Sequence, residues 1–153
     1  MGRVAVVTDS SACLPQEIVG DLGIHVVPLR FFIDDRSYLD GIDMAADDIY
    51  RVRPSTRVLP TTSAPTPSDY YAAIQKVAGD HDAVVVITIT RRFSAMYQSA
   101  MLAAATARDA LPGTTVRVID SGTAAGAEGL VFEELALETQ ETYYQRAKKE
   151  QKR

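Results

Sequence analysis

The chain has 153 residues, 46% hydrophobic and 24% charged, with a formal net charge of −4. That length suits one domain with a substantial core, and the composition excludes a disordered or low-complexity chain. The negative balance, with no basic stripe through the folded-looking part, lacks the attraction that drives most nucleic-acid binding, so no nucleic-acid partner is expected.

In chain order, Arg3 to Thr8 ("RVAVVT") is a β-branched run ending at the polar "DSSACLP", the pattern of a buried strand meeting a loop. Pro15 suits the first turn of a helix, "PQEIVGDL", which Gly23 closes. Ile24 to Ile33 is again strand-like, and "DDRS" turns it toward "YLDG" as a hairpin. Asp43 is placed to cap a short helix, "MAADDIYRV", with Asp47 and Asp48 early enough to suit its dipole. The stretch "RPSTRVLPTTSAPTP" has the composition of a loop.

Thr66, Pro67 and Asp69 then form a cap signature for a helix, "PSDYYAAIQKVAG", with Tyr70, Ile74 and Val77 on one face. Ala83 to Ile89 is an unbroken apolar run, as in a strand covered on both sides. The helix after it spaces Tyr97, Ala100, Met101, Ala104 and Arg108 by threes and fours, and "TTVRVIDS" and "AEGLVFEELALET" add a strand and a helix. Strands alternating with helices predict an α/β fold with a largely parallel β-sheet flanked by helices. Residues 1–137 are expected to form that domain, and residues 138–153 a charged helical end or tail.

Cys13, the one cysteine, cannot close an intramolecular disulfide; it is expected to pack inside a protein of the reducing cytosol. The longest apolar runs, "AVVVITI" and "IHVVPLRFFI", are shorter than the roughly 20 residues that span a bilayer, so no membrane span is expected. The opening "MGRVAVVTDSS" lacks a signal-peptide pattern, and Val6 stands where N-myristoylation needs Ser or Thr. A cytoplasmic protein is the expectation.

Ligands of open α/β sheets bind in loops at the carboxyl ends of the strands. Three such loops are rich in short hydroxyl and acidic side chains: Thr8 to Ser11, Thr90 to Ser94 and Asp120 to Thr123, and "PTTSAP" adds further hydroxyls. A helix opening at Ser94 offers backbone N–H groups to an anion, with the hydroxyls of Ser94 and Thr62 able to complete the cage. The plainer alternative is that Ser94 caps its own helix and Thr62 turns a loop. A hydrolytic triad has only His25 and His81 to draw on, neither in a catalytic context, and Asp9 lacks the second aspartate of an aspartyl-phosphate enzyme. Gly122, Gly126 and Gly129 match neither a dinucleotide fingerprint nor a P-loop, and no Cys or His spacing suggests a metal.

Taken together and in order, "VAVVTDSSACLP", "VVPL", "YLDGIDM", "PTTSAPTPSDYY", "ITITRRFSAMYQSA" and "VRVIDSGTAAGAEGLV" resemble the DegV family of bacterial fatty-acid-binding proteins, from about Arg3 to Leu137. The resemblance implies a protein without catalysis or cofactor that holds one long-chain fatty acid and presents its carboxylate to a fatty acid kinase subunit. In that family a threonine of a "TS" motif and the serine of an "SGT" motif hold the carboxylate. The matching positions are Thr62 and Ser94, with Ser63 and Ala95 beside them. Ala95 and Met96 replace the usual Gly and Thr, and Arg91 and Arg92 replace small polar residues, as carboxylate partners or as solvated surface charges.

Family members carry a second α/β domain, with the acyl chain in a tunnel between the two. The sequence is therefore expected to supply one wall of that tunnel. Enclosing about fourteen methylenes gains on the order of 11 kcal/mol, and half enclosure forgoes about 10⁴-fold in affinity. A covering surface is needed, and pairing of two copies as a homodimer is one way to provide it. The competing expectation is an interaction or dimerisation module of DegV-like fold without stable lipid binding; a hydrolase-like or phosphatase-like enzyme is the third.

Overall fold

The structure is a computed structural model that describes residues 3–45, 48, 49, 51 and 59–125. Its first strand, β1 (Val4–Asp9), leads through a 3-10 turn (Ser10–Ala12) to helix α1 (Gln16–Asp21). Then come β2 (His25–Val27), β3 (Arg30–Ile33), β4 (Arg36–Leu39) and β5 (Thr61–Ser63). Helix α2 (Pro67–Ala78), β6 (Ala83–Thr88), α3 (Met96–Ala110) and β7 (Thr115–Asp120) complete the order.

A four-stranded parallel sheet runs β2-β1-β6-β7, and a three-stranded antiparallel sheet runs β4-β3-β5. The fold is α/β with a parallel sheet flanked by helices, as the alternating pattern predicts. Strand alternation sets its layers. Ala5, Val7, Val84 and Val86 turn to one face, where Tyr70 and Ile74 of α2 and Ala100, Ala103 and Ala107 of α3 cover them. Val6, Val85 and Ile87 turn to the other face, against Ala12, Leu14 and Ile24. Tyr70 and Ile74 are fully buried, each worth about 1.5–3 kcal/mol of transfer free energy.

Local chemistry explains the boundaries. Gly23, at φ 61°, takes the left-handed turn that closes α1. At the head of α2 the Thr66 hydroxyl accepts from Asp69 N–H at 3.2 Å and Asp69 accepts from Thr66 N–H at 2.8 Å, the reciprocal box that the sequence predicts.

Several expectations are corrected. The run Ile24–Ile33 is two strands rather than one, because Pro28 has no N–H for a ladder and Leu29 N–H is taken by the Ser10 hydroxyl at 3.1 Å. Within the expected loop, Thr61–Ser63 forms β5, paired with β3. Cys13 is exposed rather than packed in the core, since it ends the 3-10 turn in the left-handed region at φ 52°. Asp43 accepts from Leu39 N–H at 2.7 Å, and the amides it was expected to cap lie largely outside the described residues. In α3 the buried stripe is Met96, Ala100, Ala103, Ala104 and Ala107, which includes Ala100 and Ala104 of the expected spacing and leaves Met101 45% exposed. Most of the helix expected after Asp43, the helix expected after Gly126 and the segment 138–153 lie outside the described residues.

Candidate functional site

The loops that leave β1, β6 and β7 meet at one end of the parallel sheet, because parallel strands all point their carboxyl ends the same way. Asp9 closes β1. It shares the strand face of Ala5 and Val7, so its carboxylate points into the protein and is fully buried. Its oxygens accept from Ser11 N–H at 3.1 Å, from the Ser11 hydroxyl and from the Tyr70 hydroxyl at 2.9 Å. Burial raises the Asp9 pKa above the ordinary value of 3.8, and these hydrogen bonds work against the rise.

The same loop holds its neighbours. Ser10 anchors Leu29, and the Ser11 hydroxyl approaches Met96 Sδ at 3.7 Å. Met96 opens α3 and is 4% exposed, so the position that carries a hydroxyl in the resembling motif is here a core thioether.

The loops after β6 and β7 are stitched together. Thr90 N–H donates to Thr123 O at 2.9 Å, and Ser121 N–H to Thr88 O at 3.1 Å. Arg91 Nε lies 3.4 Å from Asp120 Oδ2, and Asp120 Oδ1 accepts from Gly122 N–H at 3.0 Å. Arg91 is thus paired with Asp120, while Arg92 is exposed.

Ser94 is half-buried, and its hydroxyl oxygen accepts from Met96 N–H at 3.3 Å, a turn bond just ahead of the helix rather than an N-cap. Its hydroxyl hydrogen has no acceptor among the described residues. The helix begins at Met96 rather than Ser94, with the exposed Ala95 as its cap residue. Because Ser99 N–H makes the first bond back, to Ala95 O at 3.0 Å, Tyr97 and Gln98 N–H have no acceptor within the helix. Those amides and the helix dipole favour an anion beside Ser94 and Ala95.

Thr62 and Ser63 stand on β5, both exposed, opposite Phe31 and Arg30 of β3. Among the described residues no hydrogen bond joins either to Ser94 or Ala95. Ala64, directly after β5, packs against the same core cluster that contains Met96. Leu59 and Phe93, at 67% and 76% exposure, are large apolar side chains left uncovered near these two segments in sequence.

Asp9 caps the 3-10 turn and bonds Tyr70, neither of which the sequence analysis named; the alternation Ala5, Val7, Asp9 was the available signal for its burial. The Arg91 pairing with Asp120 was also missed. His25 is half-buried in β2, and His81 Nδ1 lies 2.8 Å from Val77 O at the end of α2. Among the described residues no group of His, Cys, Asp and Glu side chains is placed to hold a metal, and no helix is long and apolar enough to cross a membrane.

The model of a family of uncharacterised proteins, the DegV family, matches residues 3–142. The chain belongs to the DegV family. A DegV domain-containing protein of Caldanaerobacter subterraneus is 35% identical over 121 residues, 79% of this chain and 41% of its own length. A solved stearic-acid-binding protein of Eubacterium ventriosum superposes with a TM-score of 0.80 at 28% identity, covering 87% of this chain and 46% of that one. A DegV family protein of Thermus thermophilus, solved for its fatty-acid binding, gives a TM-score of 0.71 at 31% identity, over 96% of this chain and 54% of that one. The chain spans about two-fifths of the length of the curated DegV relatives it matches.

Proposed function

We propose that this chain binds a long-chain fatty acid, with its carboxylate at the opening of α3 and its acyl tail along the apolar side chains beside the strand ends. The observation that carries the reading is the Ser94 junction. The Ser94 hydroxyl hydrogen and the Tyr97 and Gln98 N–H groups, in the first turn of a 15-residue helix, have no protein acceptor among the described residues. Thr62, Ser63 and Ala95 are the other carboxylate-side residues in this proposal. The fatty acids of the Eubacterium and Thermus relatives support the ligand class.

The role is binding rather than catalysis, and presentation of the carboxylate to a fatty acid kinase subunit is the proposed use. Residues 1–137 are the proposed lipid-binding unit, with 138–153 a charged appendage. The uncovered Leu59 and Phe93 fit a site that a second surface completes, whether a further domain or a second copy of this chain.

A second reading is an interaction module with the same fold and no stable lipid. The burial of Met96, which removes a hydroxyl from the head-group site, favours it. Native mass spectrometry of the purified chain, followed by lipid extraction, separates the two. Fatty acid near one per chain or per dimer, lost in Ser94→Ala, supports the first reading. Lipid-free dimers or larger assemblies support the second.

A further inference from the structure

On the far side of β1 from the Ser94 junction, a cleft of about 250 Å³ opens between α2, the edge strand β2 and the start of β3. The chemistry of its walls is uneven. Lys76 comes from the last turn of α2, Arg30 from β3 and His25 from β2, while Val27, Leu39 and Ala73 supply an apolar floor. Asp69 is the one carboxylate on the wall, and it is already engaged. One oxygen accepts from the Thr66 N–H and hydroxyl, and the other faces Arg30 at 3.8 Å.

The balance of charge in the cleft is therefore positive. Arg30 and Asp69 offset each other, and Lys76 has no ion-pair partner among the described residues. Burial first, and then the charge of Lys76, hold the pKa of His25 below the ordinary 6.5, so at neutral pH its imidazole donates a hydrogen bond rather than a charge. Ammonium, guanidinium and imidazole N–H groups coming from three elements suit an anion with several acceptor oxygens better than a planar carboxylate. The volume exceeds that of a phosphate group alone, and the apolar floor suits a compact organic part.

We propose that this cleft is a second ligand site, which takes a small phosphate monoester through Lys76, Arg30 and His25 and rests its apolar part on Val27, Leu39 and Ala73. It shares no residue with the Ser94 junction, and β2 and β6 are separated by β1, although Arg30 stands opposite Ser63 across the β3–β5 ladder.

The test is titration of the isotopically labelled full chain with phenyl phosphate, followed by amide and imidazole NMR shifts, with phenol as the control that lacks phosphate. Saturable shifts centred on His25, Arg30 and Lys76 are expected with phenyl phosphate and not with phenol. Lys76→Glu is expected to weaken them about tenfold or more, the scale of one charge-assisted hydrogen bond, and Lys76→Gln by less. Both changes are at an exposed position, and Ser94→Ala is expected to leave the titration unchanged. Shifts that never saturate, equal binding of phenol, insensitivity to both Lys76 changes, or shifts centred on Ser94 and Ala95 would each overturn the proposal.

Discussion

Tyr70 donates its hydroxyl hydrogen to Oδ2 of Asp9 at 2.9 Å, joining the middle of the molecule to the end of its first strand across 61 residues. Both side chains are fully buried, so the bond is made where water does not compete. Tyr70→Phe keeps the ring packing and removes the donor. The expected loss is about 1.5–3 kcal/mol, the range for a hydrogen bond to a charged group. Urea unfolding checks it: a lower midpoint with an unchanged slope is the expected result, and an unchanged midpoint would count against the bond.

The raised pKa of Asp9 has a pH signature. The folded state binds its proton more tightly than the unfolded chain, so ν_N exceeds ν_U between the ordinary value of 3.8 and the raised folded value. Stability contributed by this group is therefore full below pH 3.8 and declines as pH rises through that window. Asp9→Asn is expected to flatten this segment of the melting-temperature profile. If wild type and Asp9→Asn show parallel profiles, Asp9 is not the group responsible.

Ser94→Ala removes both the oxygen that accepts from Met96 N–H and the hydroxyl offered to a carboxylate. Loss of the bond to Met96 N–H is expected to cost about 0.5–1.5 kcal/mol of stability. Loss of a charge-assisted hydrogen bond is expected to weaken fatty-acid retention by about tenfold or more. Displacement of a fluorescent fatty acid reads the second effect apart from thermal melting, which reads the first. Unaltered displacement would remove Ser94 from the proposed site.

Arg91 and Asp120 are partners of unequal importance. Arg91 is 65% exposed at its side chain, so Arg91→Ala is expected to change stability by about 1 kcal/mol or less. Asp120 also accepts from Gly122 N–H, so Asp120→Ala is expected to cost more, about 1–3 kcal/mol, and to loosen both loops. Chemical denaturation ranks the two; equal losses would argue against the loop-stitching role of Asp120.

Thr88 Oγ1 is buried and has no hydrogen-bond partner among the described residues. Replacing it by the isosteric Val removes an unsatisfied polar atom and suits a β-strand, so Thr88→Val is expected to stabilise by about 1 kcal/mol. A fall in melting temperature would show that the hydroxyl has a partner.

What the sequence makes legible is what local spacing controls. The box of Thr66 and Asp69 needs three residues, and the buried face of Tyr70 and Ile74 needs one turn, so both can be seen without the fold. The alternation of strands and helices is similarly local, and it yields the α/β class. β5 is not legible because "TTS" carries no apolar period; it becomes a strand only because β3 lies alongside it. Cys13 misleads because burial was inferred from its residue type, whereas the left-handed backbone at the end of the 3-10 turn decides its exposure. At the site, the helix opening at Ser94 could be read to within two residues. The Asp9 bond to Tyr70 and the Arg91 pair with Asp120 depend on which loops the sheet order brings together.

The pairing of β1 with β6 also imposes an order in time. Val4 lies beside Ala83 and Val7 beside Val86, so the central ladder joins segments made 79 residues apart. During synthesis one hydrogen-bonding edge of β1 must wait until β6 has left the ribosome, while β2, the other neighbour of β1, and the β3–β4 hairpin emerge earlier. The centre of the parallel sheet thus closes only when β6 arrives, and until then one edge of β1 is an unpaired strand edge of the kind that invites aggregation.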